Sequence, residues 1–177
     1  MFSNASKLYW QFNCDSVWLT LENISKQKKV IDQVPIELSD LTYRLGYHLI
    51  KEFKNAILFR HGCPATGPCY YKLLDKTTGT VLKESGQLIC IDTDVRVDSA
   101  YKYKFNFIVY LSVDTEEIIV YFVDSNKTQK HPFTEKLTAA VLPEMQFDKM
   151  VLKNNILTIT YISDSNQTKD IDIKLTN

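Results

Sequence analysis

Tyr121-Phe122-Val123-Asp124-Ser125-Asn126-Lys127-Thr128 is followed, 40 positions later, by Tyr161-Ile162-Ser163-Asp164-Ser165-Asn166-Gln167-Thr168. In both, an apolar β-prone run gives way to Asp, Ser and Asn and then to a polar run. Those three residue types bond neighbouring backbone and tolerate left-handed geometry, so each segment reads as strand, turn, strand. Leu73-Leu74-Asp75-Lys76-Thr77-Thr78-Gly79-Thr80 is a third such unit, and Leu21-Glu22-Asn23-Ile24-Ser25-Lys26 a weaker fourth. A further apolar run precedes each one: residues 8–12, 56–60, 105–112 and 150–153. The pattern predicts an all-β chain, an antiparallel meander of hairpin units spanning residues 1–177 as one domain. A sandwich or barrel is the favoured closure, with a small propeller-like arrangement as the sharper alternative.

Alternation extends the reading along the chain. Leu8, Trp10 and Phe12 alternate with Tyr9, Gln11 and Asn13, and Val17, Leu19 and Leu21 repeat the pattern. Tyr101, Tyr103, Phe105, Phe107, Val109 and Leu111 hold strict period two, whereas residues 118–123 are apolar on both faces, as a central strand requires. At most one or two short helices are expected. Leu41, Leu45, Leu49 and Phe53 recur at i+4, but Gly46 and the β-prone residues after it favour a strand over 47–53, paired through Lys54-Asn55 with 56–60. The better helix candidate is 134–141, with Thr134 as its cap and Pro143 as its stop.

Composition narrows the function classes. The 177 residues carry 21 basic and 21 acidic side chains, and this balance disfavours nucleic acid as the main partner. With 45% hydrophobic and 24% charged residues the chain is globular rather than disordered. The first residues show no basic segment leading into an apolar one, so no signal peptide is expected, and no run reaches the roughly 18 apolar residues of a membrane-spanning helix.

The cysteines bear on compartment. Cys63 and Cys69 bracket Pro-Ala-Thr-Gly-Pro, a segment built for tight reversal, and a disulfide there is the favoured reading. Two reduced thiols are the plain alternative; His61, Cys63 and Cys69 as metal ligands lack a fourth partner and the short spacing of zinc sites. Cys14 and Cys90 would form the remaining pair. An exported location is slightly favoured on this ground over a cytoplasmic one.

Chemistry-bearing motifs are sparse. No nucleophile elbow, phosphate-binding glycine loop, His-Glu-x-x-His or dinucleotide fingerprint occurs. His48 and His131 read as packed or solvated strand residues, and His61 beside Cys63 lacks a protease signature. Asp92, Asp94 and Asp98 lack the glycine and terminal glutamate of a calcium loop and read as an acidic surface turn. Asn4, Asn23, Asn126 and Asn166 satisfy the glycosylation pattern, but turn chemistry accounts for them. No enzymatic activity, metal or cofactor is expected.

Aromatic residues are the remaining resource: 2 Trp, 10 Tyr and 9 Phe. By alternation most face a core, while Tyr9, Trp18, Tyr70 and Tyr110 fall on the opposite strand faces. These four are the candidate contact residues, as a protein-binding patch or a sugar-stacking platform.

Phe59-Arg60-His61-Gly62-Cys63-Pro64-Ala65-Thr66-Gly67-Pro68-Cys69, with Leu74-Asp75-Lys76-Thr77-Thr78-Gly79, resembles segments of uncharacterised β-rich exported bacterial proteins. That type includes immunity proteins that block a secreted toxin, and the resemblance supplies no active site. The sequence thus points to a non-enzymatic protein-binding module, an immunity or inhibitor protein among the forms it would take. The alternative is a carbohydrate-binding or surface-associated exported module.

Overall fold

The computed structural model describes residues 1–41, 46–64, 67–97 and 105–176. Strand accounts for 54% of the chain and helix for 8%, so the fold is all-β as the hairpin pattern predicts. Among the described residues the strands form four sheets and no closed barrel. Where the sequence, lacking any linker, reads as one domain, the contacts divide the chain into two compact units, Met1–Ser85 and Gly86–Asn177.

In the first unit, β1 (Lys7–Phe12), β2 (Ser16–Glu22) and β3 (Lys28–Pro35) form a three-stranded antiparallel sheet in that order. β4 (His48–Glu52), β5 (Ala56–His61), β6 (Tyr70–Asp75) and β7 (Val81–Gly86) form a second sheet, also in chain order. β4 pairs with β5 through the expected Lys54-Asn55 turn. Leu19 and Leu21 of β2 meet Ile57, Phe59 and Leu74 of β5 and β6 in one buried cluster, flanked by Phe2, Leu8, Ile31 and Tyr47.

In the second unit, β8 (Leu88–Ile91), β10 (Phe107–Leu111), β11 (Glu117–Phe122) and β12 (Lys127–Pro132) make one sheet, ordered β12-β11-β10-β8. β9 (Arg96–Val97), β13 (Phe147–Lys153), β14 (Ile156–Ile162) and β15 (Thr168–Lys174) make the other, ordered β15-β14-β13-β9. β9 pairs with β13 in parallel, a departure from the purely antiparallel expectation. β11 is buried from Ile118 to Phe122 and lies between β10 and β12, the central strand its apolar composition predicts. Phe107, Val109, Val120 and Phe122 pack with Leu152, Leu157, Ile159 and Ile173 to form the shared core of both sheets.

The four repeated turns are real. Asn23 and Ser163 donate their amides to the Gln27 and Gln167 carbonyls, closing three-residue loops with Lys26 and Asn166 at positive φ. Between β6 and β7 the Asp75 amide bonds the Thr80 carbonyl, so this loop holds one residue more, and Gly79 takes the left-handed position. Gly79 is required there twice over, because a Cβ would lie 3.0 Å from the side chains of both Ile31 and Lys29. Lys76 opens the longer loop and is fully buried. Its ammonium donates to Glu52 Oε1 (2.5 Å), Ser3 Oγ (2.8 Å) and the Phe53 carbonyl (3.0 Å). Ser6 Oγ donates to the Lys76 carbonyl, so the N-terminal segment is tied to this turn at two points.

Some expectations fail. Residues 134–141 are not helical: the Asp164 carboxylate takes the Thr138 amide and hydroxyl, and the Ala140 amide goes to Gln146 Oε1. These tertiary bonds, with Leu137 buried, override a weak local propensity, and Pro143 instead begins the short 3-10 turn Pro143–Gln146. The other helical segments, Ile36–Leu41 and Asp92–Asp94, are also 3-10 turns. Trp10 and Phe12 do not face a core but stand 43% and 79% exposed. β1 is an edge strand, and only Leu8 reaches the buried cluster. Tyr101, Tyr103 and Asp98 lie outside the described residues.

Lys76→Met is expected to cost the first unit about 2–3 kcal/mol, since it removes three hydrogen bonds of a buried ammonium and leaves the Phe53 carbonyl without that donor. A fall in the urea midpoint of unfolding measures it. Hydrogen bonds from Lys76 and Ser3 pull the Glu52 carboxyl down to about 2. The stability it contributes is therefore fully present above pH 4.5 and is lost as pH falls from there through about 2.

Candidate functional site

One end of the first unit gathers aromatic and charged side chains in a graded column. Phe59, wholly buried, lies 5.5 Å from Tyr47 between ring centroids; Tyr47 stacks on His61 at 4.9 Å and 15°; His61 lies 6.0 Å from Tyr70. Period-two alternation puts Phe59 and His61 on one face of β5, and the β5–β6 register sets Tyr70 directly opposite His61. The column runs from the core to solvent, ending at Tyr70, which is 52% exposed.

The loop joining β5 to β6 is closed by the Cys63–Cys69 disulfide, with the Cα atoms 4.1 Å apart. Gly62 enters it at φ +57°, and a Cβ there would come within 3.3 Å of the Tyr70 ring. Cross-link and glycine thus both lie beside Tyr70 at the rim. Lys72, two residues along β6, sits 5.7 Å over the Tyr47 ring and pairs with Glu84 at 3.1 Å.

Burial, reinforced by the Lys72 charge, lowers the His61 pKa, so its imidazole is neutral at pH 7 and serves as a ring in the stack. Burial also acts against Lys72, but hydrogen bonds to Tyr47 and Glu84 outweigh it and leave the ammonium above its ordinary value. Asp32 of β3 faces the same cluster; burial raises its carboxyl, against bonds from the Gln33 and Tyr47 amides, and its Oδ2 has no hydrogen-bond partner among the described residues. The arrangement is an amphipathic surface of stacked rings flanked by charges of both signs.

A second concavity, of about 880 Å³, lies in the other unit between Asp114 and Lys136. Three of its carboxylates are engaged: Glu117 pairs with Lys130 and Glu135 with Lys169, both at 2.7 Å, and Asp114 takes the Ser112 hydroxyl and the Glu116 amide.

Of the four aromatic contact residues read from alternation, only Tyr70 stands out into solvent. Tyr9 is half-buried with its hydroxyl on Glu22 at 2.9 Å, and Trp18 is half-buried with its indole N–H on Gln11 at 3.2 Å. Tyr110 is buried between β8 and β11, and that burial pushes its phenol up to about 12. The four do not form one platform. Cys63 and Cys69 pair as expected, but Cys14 and Cys90 do not: Cys14 is exposed in the β1–β2 turn of one unit, and Cys90 is buried in the core of the other. Sequence reasoning missed Tyr47 and Lys72, whose roles arise from cross-strand register rather than from any motif.

No family model matches this chain, and no curated protein matches it. Among solved structures it is similar to the uncharacterized protein lmo1340 from Listeria monocytogenes EGD-e, at 12% identity and a TM-score of 0.34. The match covers 97% of this chain and 52% of that one, so the chain spans about half the length of that protein.

Thiol titration is expected to find one reactive group in the native protein, two after unfolding without reductant and four after reduction. Replacing Cys63 and Cys69 together by Ser should cost about 2 kcal/mol in the chain-entropy account of so short a loop. His61 imposes a pH dependence. Below about pH 6.5 the unfolded chain takes up its proton before the folded chain does, so stability falls as pH drops from there toward the lowered folded value. His61→Phe should remove that part of the slope, read as urea midpoints at several pH values.

Proposed function

We infer that this chain is a non-enzymatic protein-binding module, and that the rim carrying Tyr70 is where it meets its partner. The observation that carries the reading is the exposed Tyr70 ring, held at the end of an aromatic column and beside a disulfide-closed loop. Tyr pairs a large apolar body with a polar tip and is enriched at protein interfaces. A ring already fixed in place loses little freedom on binding, so the surface is pre-organised in the sense that favours affinity. Lys72 and Glu84 flank it with both signs of charge, the pattern of a selective contact rather than a general electrostatic one.

An inhibitor of a secreted toxin is the form of binder favoured here. It needs no catalytic group, and it would work in an oxidising compartment where the Cys63–Cys69 bond persists. Among the described residues no helix is long and apolar enough to cross a membrane.

The test is a pull-down of secreted toxins with the full chain as bait, followed by calorimetry on any complex recovered. Tyr70→Ala should weaken the complex about 30-fold or more, the loss typical of a central interface residue. Tyr9→Phe, away from the rim, should leave it unchanged. Absence of any complex, or a complex indifferent to Tyr70, overturns the assignment.

A further inference from the structure

Three turns of the first unit meet at the end opposite the Tyr70 rim. The Asn23 side-chain amide donates to the Thr77 carbonyl at 3.1 Å, and the Lys76 backbone amide to the Asn55 carbonyl at 3.0 Å. These bonds join the β2–β3, β4–β5 and β6–β7 turns. From there β5 runs toward His61 and Tyr70, about 20 Å away at the rise of an extended strand.

Lysine dominates the turn end. Lys7, Lys26, Lys28, Lys29 and Lys54 are all exposed, and Lys7, Lys29 and Lys54 take no ion pair among the described residues. Three carboxylates lie nearby, and each has partners within the fold. Glu22, its side chain 13% exposed, accepts the Tyr9 hydroxyl at 2.9 Å and lies 3.5 and 3.9 Å from Lys26 and Lys28. Glu52 is matched by the buried Lys76, and Asp75 takes the Thr77 and Thr78 amides. A chain neutral in total therefore presents a positive field at this end, which draws an anionic surface toward it.

Two further features say which surface fits. A concavity of about 310 Å³ lies between the β2–β3 and β6–β7 turns, with Asn23, Gln27, Lys28, Lys29, Thr77 and Thr78 as its polar lining. Two ammonium groups among amide and hydroxyl donors suit a phosphate-bearing headgroup. Ile24, in the β2–β3 turn, stands 68% exposed, and Val81, at the start of β7, 50%. An aliphatic tip ringed by lysines suits the boundary between headgroups and acyl chains. There the side chain leaves water while the ammonium groups stay among phosphates. Nucleic acid favours stacked aromatic rings or arginine forks, and the three turns carry no arginine and no exposed aromatic ring.

We propose that the turn end of the first unit docks on an anionic phospholipid membrane. A headgroup phosphate sits between Lys28 and Lys29, and Ile24 enters the interface. The Tyr70 rim stays at the far end of β5, and the docking does not depend on the function assigned to that rim.

Flotation of the full chain with lipid vesicles tests this. The chain should bind phosphatidylcholine vesicles containing about 30% phosphatidylserine and not phosphatidylcholine alone, and raised salt should release it. Lys28→Gln combined with Lys29→Gln should weaken the binding about 30-fold, at about fivefold for each lysine near the surface. Ile24→Ser should weaken it about fivefold. Tyr70→Ala should leave it unchanged, and urea midpoints followed by indole emission check that each variant is folded. Absence of binding to the anionic vesicles, or equal binding to both kinds, overturns the proposal. So does binding indifferent to the lysine pair or to Ile24, and so does a DNA duplex that displaces the chain from the vesicles.

Discussion

A three-stranded antiparallel meander cannot bury its own apolar face, and this constraint governs both units. Alternation gives each sheet one side that water disfavours, and an isolated ribbon of this size is marginal at best. Within each unit the remedy is a second sheet on the same cluster: Leu19 and Leu21 against Ile57, Phe59 and Leu74 in one, Val109 and Val120 against Leu157 and Ile159 in the other. The turns are specialised to let this happen. Gly79 has no side chain because Leu21, Ile31 and Lys29 already fill the space, so the β6–β7 loop can settle on the neighbouring sheet. Lys76, carried inward by the same loop, donates to Glu52 and to Ser3, and so ties the N-terminal residues to the turn.

How much of this was legible depends on whether a feature is local. The Asn126 and Asn166 turns and the strands on either side follow from residue type and spacing over eight positions, and they were readable. The same holds for β11, whose residues 118–122 are apolar and buried on both faces. Alternation alone does not say which face of an edge strand is covered. Trp10 and Phe12 continue the apolar face of Leu8, but the core stops before reaching them, and nothing in 8–12 marks where it stops. Residues 134–141 show the same limit in reverse, since the carboxylate that holds Thr138 lies 26 positions away.

The candidate site divides in a similar way. The Cys63–Cys69 bond follows from a short, turn-rich separation, and Tyr70 was identified by its place on the strand. Their joint significance needed the register of β4, β5 and β6, which stacks Tyr47 on His61 and His61 by Tyr70. The paired thiols expected at Cys14 and Cys90 rested on elimination rather than on any local signal, and the fold places them in separate units.

The placement of the two tryptophans has a practical consequence. Trp10 and Trp18 face each other's neighbours across β1 and β2, and both belong to Met1–Ser85. Selective excitation of indole therefore reports the first unit alone, through one ring largely in water and one hydrogen-bonded to Gln11. The second unit has only tyrosine as its intrinsic fluorophore among the described residues. An unfolding transition followed by indole emission is thus a domain-resolved measurement, and its comparison with far-ultraviolet dichroism separates the melting of one unit from that of the other.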